Sequence, residues 1–223
     1  MVVLATKLYV EGEARHRALD SLTAQVENTL DELDVSFEVG IRDDEFPSVT
    51  VEGEDAAVAR NLLAEEWGEI APQRREGSVC WGTLDGWDDE ALTLDAGFGD
   101  RVRIPSSELG LGTGTANQVR TRFGLVQHLP MRFVPGDQPR LADAEQDRLY
   151  EWTRGTGRVN VNSATRAEVR ATVNRAGHAQ DIVTVERLGL LEQSIVCREG
   201  TDPPGLLSSI GEYLPSELLC VVP

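Results

Sequence analysis

The chain has 223 residues and carries 38 acids against 21 bases, a net charge of −17, with arginine supplying 20 of the bases and Lys7 the remaining one. It contains no run of eighteen apolar residues that could span a membrane, and its start meets acids too soon for a signal peptide, so a cytoplasmic protein of two or three small modules is expected. Cys80, Cys197 and Cys220 are isolated and odd in number, which argues against a disulfide framework and a zinc site, and suggests buried thiols in strands.

In chain order, residues 4–10 alternate as a first strand, and Leu19, Leu22, Val26, Leu30 and Leu33 place one apolar stripe on a helix over 13–33. Residues 35–41 and 49–51 read as paired strands across an acidic turn, and Asp55 opens a helix that runs to Trp67 and stops at Gly68. This β-α-β-β-α module occupies 1–75. Short strands follow at 79–84, 91–96 and 101–104, then a glycine-rich stretch, a short helix over 115–123 and a strand at 129–134. Strands in close succession broken by one helix suggest a small barrel over 76–136 of the oligonucleotide-binding (OB) type.

Residues 137–223 begin with a linker helix over 140–153 and then repeat the first module's order. A strand at 158–161 precedes a helix whose start, Thr165 with Glu168, is a capping box. Strands at 182–186 and 192–198 come next, Asp202 and Pro203 open a last helix, and 218–222 closes the sheet. The expected fold class is α+β, two ferredoxin-like (β-α-β-β-α) modules flanking a small OB-like β-barrel.

Charge is unevenly spread. Residues 1–70 hold 17 acids and 5 bases, residues 71–150 hold 12 and 9, and residues 151–223 hold 9 and 7. An acidic, lysine-starved composition suits a salt-rich cytoplasm, where a Debye length of roughly 3 Å at 1 M salt removes the self-repulsion. Arginines retained against that background point to an anionic ligand. Arg101 and Arg103 share the outward face of one strand, Arg120 and Arg122 flank the barrel helix, and Arg132 lies in the next strand. Guanidinium groups bind phosphate through fixed paired donors, and Trp81 and Phe98 in the same module could stack on bases. RNA is therefore the expected partner, with surface ion pairs as the competing use of the same arginines. A ribosomal or other basic protein, reached through the acidic first module, is the alternative.

Other motifs carry less. Gly110-Leu-Gly112-Thr-Gly114 lacks the lysine of a phosphate-binding loop, and Asp43-Asp44-Glu45 and Asp88-Asp89-Glu90 lack the ligand spacing of a calcium loop. His16, His128 and His178 are scattered, and no serine nucleophile elbow occurs. No catalytic residue, metal site or cofactor is expected, and the chain is read as a non-enzyme.

Three stretches carry a resemblance over the whole chain: Phe123-Gly-Leu-Val-Gln-His-Leu-Pro130, Val185-Glu-Arg-Leu-Gly-Leu-Leu191 and Gly200-Thr-Asp-Pro-Pro-Gly205. They resemble a conserved archaeal family known as a domain of unknown function, in a salt-loving version; that resemblance implies no catalytic residues. Residues 77–134 are similar to the S-one-type RNA-binding barrel through Gly82-Thr-Leu84, Leu92-Thr-Leu-Asp95 and Val102-Arg-Ile-Pro-Ser-Ser-Glu-Leu109. Gly97-Phe98 blurs that family's glycine-phenylalanine pattern. Asp202-Pro-Pro-Gly-Leu-Leu207 is similar to the helix start of amino-acid-sensing domains, which implies Asp202 and Gly205 as an alternative small-ligand site.

Overall fold

A computed structural model describes residues 1–223. It is a mixed α+β structure with six α-helices and three antiparallel sheets. No helix is long and apolar enough to cross a membrane.

The N-terminal unit contains β1 (Val2–Val3), α1 (Gly12–Leu30), β2 (Val35–Ile41), β3 (Pro47–Gly53) and α2 (Ala56–Trp67). Its sheet has the order β1-β3-β2, and a further antiparallel bridge joins Leu4 to Glu69 beside β1. The apolar stripe of α1 does what its spacing requires: Ala18, Leu22, Val26 and Leu30 are buried against Val49, Val51 and Leu63. Burying a side chain of this size stabilises by about 1.5–3 kcal/mol.

The strand expected over residues 4–10 ends almost as it begins. Only Val2–Val3 and the Leu4 bridge belong to the sheet, while residues 5–8 are buried outside any strand. The reason is tertiary. This segment threads the seam between the three units, so both of its sides find partners and the alternation has no solvent face to mark. Thr6 Oγ1 accepts from the Leu190 amide at 2.8 Å, Leu8 N donates to Glu45 O at 2.9 Å, and Lys7 turns the other way to Asp95.

The central unit is a five-stranded sheet, β4 (Cys80–Trp87), β5 (Ala91–Asp95), β6 (Arg101–Pro105), β7 (Pro130–Val134) and β8 (Arg140–Leu141), in the order β6-β5-β4-β7-β8. It curls into a half-barrel whose edge strands β6 and β8 approach each other without pairing. A bulge between Leu84 and Gly86 lets β4 continue to Trp87, a residue expected in the following turn. Helix α3 (Ala116–Phe123) opens on a complete capping box between Thr115 and Gln118 and buries Val119 and Phe123 in the curl.

Helix α4 (Asp143–Arg154), expected with the C-terminal segment, packs instead into the central core through Leu149 and Trp152. Its buried Glu145 accepts from Arg132 Nε at 3.0 Å and also pairs with Arg148, tying α4 to β7.

The C-terminal unit runs β9 (Arg158–Val161), α5 (Arg166–Arg175), β10 (Ile182–Arg187), β11 (Gln193–Cys197), α6 (Pro203–Gly211) and β12 (Leu218–Val221), with the strand order β10-β11-β9-β12. Thr165 and Glu168 form the expected capping box of α5. Val169, Val173, Leu206 and Ile210 cover the sheet from the two helices. The units are knit together: Val221 joins the central core, and Leu190 and Leu191 join the N-terminal one.

Candidate nucleic-acid interface

Strand β6 behaves as its alternation predicts. Ile104 is fully buried in the half-barrel, while Arg101 and Arg103 point outward with about half of each side chain exposed. Both are paired. Arg101 Nε lies 2.8 Å from Asp85 and its Nη1 3.0 Å from the buried Asp95. Arg103 forms a two-pronged bond to Asp88 at 2.8 and 3.2 Å, and reaches Glu90 at 3.2 Å. The Arg103 guanidinium, with the Glu90 and Ala91 amides, holds the Asp88 carboxyl down at about 2.

At the end of the same hairpin stand Gly97, Phe98 and Gly99, all with positive φ. A left-handed backbone is uncommon for a phenylalanine and disfavoured by roughly 1–2 kcal/mol. Phe98 is nevertheless held there, with its amide donating to Asp44 Oδ2 at 3.0 Å. Arg42, bonded to the same carboxylate at 3.0 and 3.2 Å, lies over the Phe98 ring at 4.1 Å. Burial pushes the Asp44 carboxyl up, but the bonds from Arg42 and the Phe98 amide outweigh it and keep it below its usual range. Phe98 as a residue remains 41% exposed. Phe98 with Arg42 thus stands at the turn of the β5–β6 hairpin, whose second strand carries the outward Arg101 and Arg103.

The other residues expected at an RNA face lie elsewhere. Arg120 is buried, paired with Glu217 and stacked on the Trp87 ring at 3.6 Å. Arg122 is spent on the carbonyls of Leu111 and Thr113, closing the glycine-rich stretch before α3. Arg132 bonds Glu145 and the Ala144 carbonyl and sits over Trp81 at 5.5 Å. Trp81 lies half-buried beneath Gly68, where a Cβ would meet its ring at 2.5 Å, so it serves the seam with the N-terminal unit. Arg42 was not foreseen, because the contact joins two hairpins far apart in sequence and leaves no local pattern.

At the alternative small-ligand site, Asp202 caps α6 by accepting from Gly205 N at 3.1 Å. Its own carboxylate thus occupies the place beside the helix start that a ligand carboxylate would take.

The seam contains a second concentration of polar groups. Lys7 Nζ and Asp95 Oδ2 meet at 2.7 Å, both buried. Tyr9 donates to Glu192 Oε1 at 2.8 Å and accepts from the Ser163 amide at 2.8 Å, and its ring lies 3.8 Å from that of His128. Burial pushes the Glu192 carboxyl up to about 8, and burial, with Lys7 nearby, brings the His128 ring down to about 4. At neutral pH both are uncharged and already engaged in packing the units together. No three histidine, cysteine or acidic side chains gather as a metal site.

Three family models match the chain in succession: the DUF2110 N-terminal domain over residues 1–73, the DUF2110 central domain over 74–153 and the DUF2110 C-terminal domain over 156–222. The last residues of α4 coincide with the end of the central match, in keeping with its packing on the half-barrel. No curated protein matches the chain.

Proposed function

The chain belongs to the DUF2110 family, and we propose that within it this protein is a non-catalytic RNA-binding protein of a salt-rich archaeal cytoplasm. The observation that carries the reading is Phe98, an exposed aromatic residue in a left-handed backbone, fixed by Asp44 and backed by Arg42, at the turn of the hairpin that carries Arg101 and Arg103. A strained residue with no core to fill is usually retained for what it touches. A base can stack on the open face of the ring, and the two β6 guanidinium groups, half exposed, can exchange their carboxylate partners for phosphate oxygens. High salt weakens simple phosphate contacts, so the aromatic platform supplies the part of the affinity that salt does not remove. The finer fold reading follows the same line. The half-barrel is taken as OB-like, and the β10-β11-β9-β12 order as ferredoxin-like, with translation or RNA processing as the setting.

The test is ultraviolet crosslinking in the native high-salt cytoplasm, with sequencing of the RNA recovered. It compares the wild type with Phe98→Ala and with the Arg101→Glu/Arg103→Glu double variant. Loss of crosslinks in both variants, with unchanged circular dichroism, is the expected result. Equal recovery from all three proteins removes this face from consideration.

One observation favours a second reading. Val58 and Leu62 stand exposed four residues apart on α2, an apolar pair on the most acidic third of the chain. A basic protein with an apolar anchor would fit it, and a nuclease-resistant partner lost with Leu62→Glu would support the adaptor role over RNA.

A further inference from the structure

Between the N-terminal and C-terminal units lies a half-open cleft of about 430 Å³, a volume within the range of small-molecule sites. Ala14 and Arg17 reach it from α1, Glu168, Ala171 and Arg175 from α5, and Tyr213 and Pro215 from the segment between α6 and β12. Ser163 also lines it, with a φ of 58°. A left-handed backbone is uncommon for serine, and residues held in one cluster at ligand sites. Here the turn is fixed from the other unit, since the Ser163 amide donates to the Tyr9 hydroxyl at 2.8 Å.

The charges that line the cleft do not balance. Arg17 Nε donates to Glu168 Oε1 at 3.0 Å across the two units, and the other oxygen of Glu168 accepts from the Thr165 amide at 2.9 Å. Arg175 enters no ion pair. Its guanidinium is exposed and lies 4.9 Å from the centre of the Tyr213 ring, a residue that is itself exposed. Two arginines against one glutamate leave the lining with one positive charge, in a chain whose net charge is −17.

We propose that this cleft binds a small organic acid, a single carboxylate carried on an apolar body. The planar fork of Arg175 matches a carboxylate through paired donors. The body has Tyr213, Ala14, Ala171 and Pro215 to lie against. One uncompensated arginine suits a monoanion, and Glu168 in the same lining opposes a second negative charge. Because the walls come from two units, the bound acid braces one against the other.

The assay is titration calorimetry on the full chain at constant ionic strength with benzoate, hexanoate and the dianion phenyl phosphate, paired with thermal unfolding in the same solutions. Saturable binding of benzoate or hexanoate, with a matching rise in Tm, is the expected result. Tighter binding of benzoate would identify an aromatic body, and tighter binding of hexanoate an aliphatic one. Arg175→Gln should weaken binding about tenfold or more, as loss of a hydrogen bond to a charged group does. Arg170→Gln makes the same charge change at an exposed position of α5 outside the cleft, and should leave binding unchanged. Ala171→Phe fills the cleft from an exposed position and should abolish binding. No saturation by either acid, equal losses in the two arginine variants, or phenyl phosphate bound more tightly than benzoate would overturn the assignment. No residue of the cleft lies on the β5–β6 hairpin, so Arg101→Glu/Arg103→Glu leaves acid binding intact whether or not RNA binds there.

Discussion

Replacing Glu192 by glutamine should stabilise the protein at neutral pH and erase a pH dependence that the wild type possesses. The carboxyl is fully buried, accepts from Tyr9, and titrates at about 8 in the folded chain against an ordinary 4.5. A raised folded value means that the folded state keeps a proton the unfolded chain releases, so stability is greatest below pH 4.5 and falls as pH rises toward 8. Each pH unit in that window costs about 1.4 kcal/mol. His128 acts in the opposite direction, since its ring titrates at about 4 when folded against 6.5. Its contribution is complete above 6.5 and is lost as pH falls toward 4. Between 4.5 and 6.5 the two slopes cancel, and from 6.5 to 8 the Glu192 term stands alone. The wild type should therefore lose about 2 kcal/mol across that last window. Glu192→Gln keeps an acceptor for Tyr9 and cannot ionise, so its stability should be flat from pH 6.5 to 8 and should show the His128 slope uncovered below. Urea unfolding at fixed high salt, at half-unit steps from pH 4 to 8.5, reads both profiles. A wild-type curve level from 6.5 to 8, or the same decline in the glutamine variant, would refute the reasoning.

Other perturbations probe the seam and the hairpin. Lys7→Met leaves the buried Asp95 carboxylate with only Arg101 and the Gly97 amide, and should cost about 1.5–3 kcal/mol in urea unfolding, with Lys7→Met/Asp95→Asn recovering part of the loss. Gly97→Ala forces a side chain into a left-handed backbone against Ile70, and a Tm lowered by several degrees is expected, about 1–3 kcal/mol; an unchanged Tm would show that the hairpin end gives way freely.

Local signals were legible and distant ones were not. Strand β2 falls on the residues its alternation marks, and the capping box at Thr165 and the Asp202 cap form as written, because each depends on neighbours within four positions. The Arg101 and Arg103 face could be read for the same reason. Residues 4–10 misled because a segment buried on both sides in a seam alternates like a strand packed on one. Trp81 and Arg120 looked like surface groups of the barrel, but they face Gly68 and Glu217, which lie in other units. Arg42 beneath Phe98, and the cleft that Arg17, Arg175 and Tyr213 line, arise only when separate units meet. Composition came closest to hinting at them, through arginines that an acidic chain had kept.

The chain has one ε-amine, and the fold has hidden it. Lys7 is 5% exposed, and its nitrogen is held against Asp95 deep in the seam. Every other side-chain cation is a guanidinium, inert to acylating reagents. Apart from the α-amine of Met1, such a reagent finds no amine to modify until the units part. The extent of acylation at Lys7, followed by mass spectrometry, is then a clock for the opening of the molecule that needs no engineered label.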